Sequence, residues 1–366
     1  MCSAPPIETI QTPVTKLFGT KHPIILAGMN QAAGCELAAA VSNAGGLGVV
    51  GGLSFTPEGL KNEIGKLKGY LRDQSLPFGV DLALPQVGGS ARKTNHDYTH
   101  GKLPELIDVI STGGAKLFVS AVGVPPKWAV EKLHAAGVVV MNMVGAPKHV
   151  QKALDAGVDM ICCQGSEGGG HTGEIATSIL VPACVDILKG KTSSFTGQPI
   201  WIVAGGGIAD GRGLAMSLCM GAQAVWVGTR FVNATEAAAP SRLQQAIIKA
   251  SPTDTIRTLI VSGRPLRVYK SPYVMDWESN RHQEIHELTS KGIIPMQWHM
   301  EQLENKGALD SETMIEMFPL LMGQVAGNID DVKSAADIVN EMVTTAVATI
   351  RGLKKQVASV SGSARL

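Results

Sequence analysis

Residues 158–173, Val-Asp-Met-Ile-Cys-Cys-Gln-Gly-Ser-Glu-Gly-Gly-Gly-His-Thr-Gly, join an apolar run to a glycine-rich turn that contains a histidine. The run from Val158 to Cys163 is short and largely apolar, which is typical of a strand buried in a parallel sheet. Backbone without Cβ atoms, as in the three glycines that follow, can lie flat against a planar ligand or around a phosphate. His171 can take up or release a proton near neutral pH. Taken alone, the stretch is equally compatible with a loop that carries a surface histidine.

The same unit of strand, loop and helix recurs over the first 230 residues. Several amphipathic segments begin near a proline and end at Ala-Gly or Gly-Gly, as helices do. The predicted strands are Pro23–Ala27, Leu47–Gly51, Pro77–Leu82, Lys116–Ser120, Val138–Asn142, Val158–Cys163, Ile200–Ala204 and Ala224–Gly228. The predicted helices are Cys35–Ala44, Pro57–Lys68, Pro104–Thr112, Pro126–Ala136, Pro147–Ala156, Ser178–Lys189 and Gly211–Met220. Eight such units predict an α/β fold, the (β/α)8 TIM barrel, with a doubly wound sheet as the alternative.

The pattern changes after Phe231. Residues 236–319 are more polar and irregular, and they predict an appended helical subdomain or lid, with loops at 263–267 and 270–273. We therefore expect residues 13–235 and 320–357 to form the barrel. The second of these ranges contains a predicted helix, from Val332 to about Lys355, that we expect to pack on the barrel.

The loop at 85–103 is long and polar for a barrel connection, which indicates a mobile rim.

Composition excludes several classes of function. The chain has 366 residues, 45% of them hydrophobic, and a net charge of +1 from 32 basic and 31 acidic residues. So balanced a charge predicts binding to neither nucleic acid nor membrane surfaces. The six cysteines show no metal-ligand spacing, and no secretory signal is evident, so we expect an intracellular, cytoplasmic protein. The C-terminal Ala-Arg-Leu, residues 364–366, resembles a peroxisomal address.

Barrel active sites are built from the loops that follow the strands, and here those loops are rich in glycine. Gly205, Gly206 and Gly207 follow the seventh predicted strand, while Gly228 and Thr229 follow the eighth. Bare N–H groups in these two loops predict a phosphate site, and tight turns without a ligand are the alternative.

A phosphate site beside a flat, glycine-lined pocket predicts FMN. Its ring would lie against Ala27, Gly28 and Met29 and against the turn Gly168–Gly170, with His171 facing the reactive edge.

Two other motifs resemble nucleotide- or phosphate-binding loops but are rejected. Gly46–Gly51 has the GxGxxG spacing but follows a helix, and Gly190-Lys-Thr lacks the first glycine of a phosphate loop.

These motifs together resemble the nitronate monooxygenase (2-nitropropane dioxygenase) family, which also includes NADH:quinone reductases and flavin-dependent enoyl-acyl carrier protein reductases. The resemblance is most specific over residues 13–231. It is carried by Pro23–Met29, Ala39–Gly48, Pro77–Val80, Gly165–His171, Ala204–Gly213 and Gly228–Phe231.

The resemblance implies an FMN-containing barrel with His171 as the catalytic base. The residues that it implies around FMN are Ala27, Gly28, Met29, Asp81, Gln164, Gly169, Gly205, Gly206, Gly207, Gly228 and Thr229. Two positions depart from the family pattern. Many relatives have Asn where Asp81 stands, and Glu-Ala-Gly-Gly-His is common where this chain has Glu-Gly-Gly-Gly-His.

Three functions remain open at this point. The first is oxidation of nitronates or nitroalkanes by O2 to a carbonyl compound and nitrite, in which His171 removes the proton next to the nitro group. The second is NAD(P)H-dependent reduction of quinones or enoyl thioesters on the same barrel. The third is a non-catalytic FMN-binding barrel. The sequence also leaves the oligomeric state open, with a homodimer as one option.

Overall fold

The computed structural model describes residues 8–53, 55–85 and 92–357. Eight parallel strands form one sheet in the order β1-β9-β8-β6-β5-β4-β3-β2, and a bridge between Ile25 and Leu47 joins its two edges. The strands of the chain are β1 (Ile24–Leu26), β2 (Gly48–Gly51), β3 (Phe78–Ala83), β4 (Leu117–Ala121), β5 (Val139–Val144), β6 (Met160–Gln164), β7 (Gly170–His171), β8 (Trp201–Gly205), β9 (Ala224–Val227), β10 (Thr255–Thr258) and β11 (Leu266–Tyr269). The predicted TIM barrel is confirmed.

Helices follow the barrel strands and surround them. They are α1 (Pro13–Phe18), α2 (Cys35–Asn43), α3 (Pro57–Tyr70), α4 (Leu103–Gly113), α5 (Lys127–Ala135), α6 (Val150–Ala156), α7 (Thr177–Leu188), α8 (Gly211–Cys219), α9 (Thr229–Val232), α10 (Ser241–Lys249), α11 (Pro272–Asn280), α12 (His282–Ser290), α13 (Pro295–Asn305), α14 (Ser311–Met317) and α15 (Ala335–Lys354). Short 3₁₀ turns lie at Pro147–His149 and Gln324–Asn328. Each predicted helix forms within a few residues of its expected bounds.

Local capping explains several of these bounds. Thr56 accepts a hydrogen bond from the Gly59 N–H, and Pro57 opens α3. The Asp210 carboxylate accepts from the N–H groups of Arg212 and Gly213 at the start of α8. Each side chain satisfies N–H groups that lack a partner within the helix, so the helix begins there.

Two apolar cores lie on the two faces of the strands. Val49 and Cys162 point into the barrel interior, whereas their neighbours Val50 and Cys163 pack against the surrounding helices. This alternation follows from the period of two along a strand. It explains why the strands are apolar on both faces, as the sequence predicts.

Gly48 lets the backbone of β2 pack closely against α2, and a substitution at this position tests that close packing. A Cβ at this position would lie 2.8 Å from the Ala38 Cα and closer still to its carbonyl. We expect Gly48→Ala to lower the free energy of unfolding by about 1–3 kcal/mol or more, because neither backbone can move freely. Gly65→Ala, where nothing lies within 4 Å, is the control and should raise it by about 0.5–1 kcal/mol. Urea unfolding measures both, and equal stability of the two variants would contradict the packing.

The segment 236–319 contains helices α10–α14 and also a β-hairpin that the sequence does not predict. Strands β10 and β11 pair antiparallel, and β11 pairs in turn with β7, with Leu266 opposite His171. The predicted loops at 263–267 and 270–273 are therefore wrong in part. Residues 266–267 belong to β11, and residues 272–273 belong to α11. The division between barrel and subdomain stays a prediction.

The last helix, α15, returns to the barrel, as predicted. Its residues Ile338, Met342 and Val343 belong to the same core as the barrel strands. A Cβ on Gly211 of α8 would overlap the backbone of α15, so the two helices touch closely. No helix among the described residues is long and apolar enough to span a membrane.

Residues 86–91, part of the predicted mobile rim, lie outside the described residues, as does the C-terminal tripeptide. The described remainder of the rim, residues 92–102, contacts the turn before β11. The Thr94 hydroxyl donates to the Gly263 carbonyl at 3.1 Å.

Candidate active site

The carboxyl ends of the parallel strands meet at one end of the barrel, and most of the predicted site residues lie there. Gly28 follows β1 and packs directly against the Asp81 side chain on β3, since a Cβ on Gly28 would overlap that carboxyl. On the other side of β1, a Cβ on Gly228 would lie 3.4 Å from the Met29 sulfur and 3.5 Å from the Ala27 Cβ. The segment Ala27–Met29 thus lies between the loops that contain the other predicted ring and phosphate contacts.

The loops after β6 and β8 form the adjoining wall. Gln164 pairs in register with Gly205, and a Cβ on Gly205 would lie 2.6 Å from the Gln164 Oε1. Gly206 and Gly207 have φ values of +98° and +73°, a region that other residues adopt only under strain. These two positions therefore need glycine for their backbone conformation.

Free N–H groups point to an anion site in these loops. Gly206, Gly207 and Gly228 donate no backbone hydrogen bond to any residue that the structure describes. The conformation of the first loop is fixed from behind, because the Thr177 hydroxyl donates to the Gly206 carbonyl at 2.9 Å. Thr177 is itself held by the Glu167 carboxylate, which accepts from the Thr177 N–H at 3.0 Å.

A segment that the sequence singled out only loosely, Met322–Gln324, completes the cradle. A Cβ on Gly169 would lie 2.7 Å from the Met322 carbonyl carbon, so this glycine permits a close backbone approach. The Gly323 N–H donates to the Thr229 hydroxyl at 3.0 Å, and the Gln324 N–H donates to the Glu167 carbonyl at 2.9 Å. The segment therefore connects the loops after β6 and β9.

His171 lies on β7 and is held by the hairpin rather than by a barrel strand. Its backbone pairs with Leu266 of β11, and its Nε2 lies 2.9 Å from the Ser262 Oγ. Arg267 of β11 ties the hairpin to the loop after β6 by donating to the Ser166 carbonyl at 2.9 Å. The sequence analysis missed Ser262, because a serine in a polar loop carries no local signal of a partner 91 residues away.

Electrostatics keep the His171 ring neutral. Burial, and to a smaller extent the positive charge of Arg264, lower the pKa of His171 to about 4. Arg264 has no carboxylate within salt-bridge distance among the described residues, and its Nη2 donates to the Asn95 Oδ1. A neutral imidazole at pH 7 has a free lone pair and can act as a base.

Asp81 is the most unusual carboxyl of the site. It is 8% exposed, its Oδ1 has no hydrogen-bond partner among the described residues, and burial raises its pKa to about 8. At neutral pH the group is therefore mostly protonated, with an O–H donor and a carbonyl acceptor. A protonated carboxyl has the same hydrogen-bonding capacity as the first donor and the acceptor of an asparagine amide.

The family model for nitronate monooxygenase matches residues 11–345 of this chain. The chain belongs to the nitronate monooxygenase family. It is an oxidoreductase of the flavin-dependent kind found in that family.

Relatives of this nitronate monooxygenase family member are named for different activities. A (3aS,4S,5R,7aS)-5-hydroxy-7a-methyl-1-oxo-octahydro-1H-indene-4-carboxyl-CoA dehydrogenase from Mycobacterium tuberculosis is 30% identical, over 92% of this chain and 96% of the relative. A probable nitronate monooxygenase from Staphylococcus saprophyticus is 32% identical, over 72% of this chain and 80% of the relative. The solved structure of FabK from Thermotoga maritima is 30% identical with a TM-score of 0.74, and covers 95% of this chain and 100% of that chain.

The described residues fit the flavin of the nitronate monooxygenase family. Two buried oxygens have no partner in the described part of the chain: Asp81 Oδ1 on β3 and Gln164 Oε1 at the carboxyl end of β6. Such orphaned atoms are costly unless a ligand satisfies them, and the polar edge of a flavin ring offers both donors and acceptors. Gly28, Gly169 and Gly205 let neighbouring protein atoms approach closely, and Gly206 and Gly207 have N–H groups that donate to no described residue.

Proposed function

We propose that the protein binds FMN and oxidises alkyl nitronates and nitroalkanes with O2, forming a carbonyl compound and nitrite. One observation carries the proposal: a neutral, half-buried His171 stands on the turn that closes a cradle with free N–H groups and orphaned polar atoms. A nitro group makes the adjacent C–H acidic enough for an imidazole to remove its proton, and the low pKa keeps the His171 ring unprotonated and available.

Each part of the site has a defined task in this proposal. The N–H groups of Gly206, Gly207 and Gly228 would bind the FMN phosphate. Asp81 and Gln164 would hydrogen-bond the polar edge of the ring, while Ala27–Met29 and Gly169 would lie against it. Bound FMN would accept the electrons of the substrate and pass them to O2.

The backbone of the same turn sets the direction of His171. Gly170 has a φ of +71° and pairs with Arg267 across the β7–β11 ladder, which fixes the direction in which the next residue leaves the turn. The ring is half-buried, so the imidazole works in a medium where charge formation is disfavoured. His171 would hold the abstracted proton as an imidazolium close to the Arg264 cation, which favours its rapid release.

A second candidate is oxidoreduction of a CoA or enoyl thioester, with NAD(P)H as the donor in the reductive direction. It is favoured by the carboxyl-CoA dehydrogenase from Mycobacterium tuberculosis, which matches over 92% of this chain, against 72% for the probable nitronate monooxygenase. A proton next to a thioester carbonyl is less acidic than one next to a nitro group, so His171 would need more help from neighbouring donors.

Anaerobic stopped-flow spectroscopy of the purified yellow protein separates these functions. We expect the flavin absorbance to bleach on mixing with an alkyl nitronate and to stay unchanged with NADH. Bleaching with NADH alone would contradict nitronate oxidation and favour the reductase candidate. A flavin inert to both donors would favour a non-catalytic binding barrel.

The homodimer also stays a prediction. Light scattering on a sizing column would measure the molecular mass in solution and test it.

A further inference from the structure

The His171 ring has two nitrogens, and only one of them can act as the base while the ring is neutral. We propose that Ser262 is a positioning residue that keeps the His171 proton on Nε2 and leaves Nδ1 as the nitrogen that accepts the substrate proton. This inference rests on the proposed role of His171 as base, and it assigns the tautomer from the hydrogen-bond partners.

The direction of the hydrogen bonds follows from what each partner can do. The Ser262 Oγ lies 2.9 Å from the His171 Nε2 and 3.4 Å from the Arg264 carbonyl oxygen. A backbone carbonyl can only accept, so the Ser262 hydroxyl directs its one proton to it. The Oγ lone pairs then accept from His171 Nε2–H. Nδ1 has no hydrogen-bond partner among the described residues.

Ser262 is itself held in one position. It is 8% exposed and stands in a turn closed by a 2.8 Å hydrogen bond from the Gly263 N–H to the Leu259 carbonyl. The next residue, Gly263, has a φ of +66°, and its carbonyl accepts from the Thr94 hydroxyl. Contacts from the turn and from the rim therefore restrict the hydroxyl to the neighbourhood of His171.

A second rim residue, Tyr98, completes the chain. Its phenol hydrogen-bonds to Ser262, and burial raises its pKa, so it is a neutral group at physiological pH. The half-buried Tyr98 and the nearby pair Asn95–Arg264 join residues 92–102 to the turn before β11. The chain Tyr98–Ser262–His171 thus links three separate parts of the sequence.

The backbone of His171 is held by the same turn and hairpin. His171 pairs with Leu266, and the Thr172 N–H donates to the Pro265 carbonyl at 3.3 Å. Backbone and ring are therefore anchored within residues 262–266. An anchored ring with one nitrogen bonded to a hydroxyl has a defined tautomer, as in other sites where a histidine base is oriented by a third group.

Nitrogen NMR of the flavin-bound enzyme tests the tautomer without turnover. In protein with ¹⁵N-labelled histidine at pH 7, we expect the His171 signals to show a protonated Nε2 and an unprotonated Nδ1. A proton on Nδ1 in the unmodified enzyme would overturn the inference. This readout stands even if nitronate proves not to be the substrate, so its failure is distinct from failure of the proposed function.

The variant Ser262→Ala tests the kinetic consequence. We expect a measurable Nδ1–H population and a roughly tenfold loss of kcat/KM for a neutral nitroalkane, whereas a preformed nitronate, which needs no proton removal, should change less than about twofold. Ser290→Ala, at an exposed serine of α12, is the matched control and should alter neither. Equal losses on both substrates, or a variant identical to wild type in tautomer and kinetics, would overturn the positioning role.

Discussion

Replacing His171 with Asn is expected to lower turnover of a neutral nitroalkane by about 10²–10⁴-fold, because the base that removes the substrate proton is lost. Turnover of the preformed nitronate should fall far less, since that substrate already lacks the proton. Steady-state oxygen consumption with the two forms of one compound measures the difference.

The pH profile gives an independent check on the same residue. Burial and Arg264 lower the pKa of His171 to about 4, so the base stays unprotonated well below the usual range of a histidine. We expect kcat/KM for the nitroalkane to fall only as the pH drops through about 4. A decline centred near pH 6.5 would contradict a half-buried histidine whose pKa is lowered to about 4. His286→Asn, an exposed histidine on α12, should retain the wild-type profile.

Replacing Asp81 with Asn is expected to stabilise the flavin-free protein at alkaline pH. An unfolded Asp ionises above pH 3.8, whereas burial in the folded protein raises the pKa of Asp81 to about 8. Folding therefore takes up a proton between these pH values, and the wild type loses stability relative to the variant as the pH rises from about 4 to 8. At about 1.4 kcal/mol per pKa unit, the full cost is on the order of 5 kcal/mol.

A buried asparagine with unsatisfied groups costs about 1–3 kcal/mol, so the net gain of Asp81→Asn at pH 8 should be about 2–4 kcal/mol. Urea unfolding of flavin-free protein at pH 4.5 and pH 8 measures it. Asp186→Asn, at an exposed position of α7, serves as the control and should follow the wild type. A difference between wild type and Asp81→Asn that is the same at both pH values would rule out a buried, protonated carboxyl.

The barrel could be predicted because its signals are local. Each strand is a short apolar run, and several of the following helices have a proline or a capping side chain at their start, as at Thr56 and Asp210. The glycine loops were found by their position after a strand. Which of these residues bind a flavin stays a prediction, although the structure places Gly28 against Asp81 and Gln164 against Gly205.

The hairpin escaped prediction for a physical reason. Strands β10 and β11 have four residues each, so neither is long enough to show a distinct strand pattern, and each contains an arginine instead of forming an apolar run. Its partner β7 has two residues, one of them glycine, and carries no strand signal at all. Ser262 meets His171, and Tyr98 meets Ser262, only through the tertiary fold, so no spacing along the chain could indicate them.

Because His171 is attached to the hairpin, mutations that affect the base and mutations that affect flavin binding fall in different parts of the chain. The glycine loops that would hold the flavin belong to the barrel, whereas the backbone and ring of the base are set by residues 262–266. A substitution in that turn can therefore re-aim the base while leaving the cofactor frame as it is. For protein engineering, residues 259–266 form a short segment in which we expect the reactivity of the base to change without changes to the barrel, whereas Arg267 contacts the loop after β6.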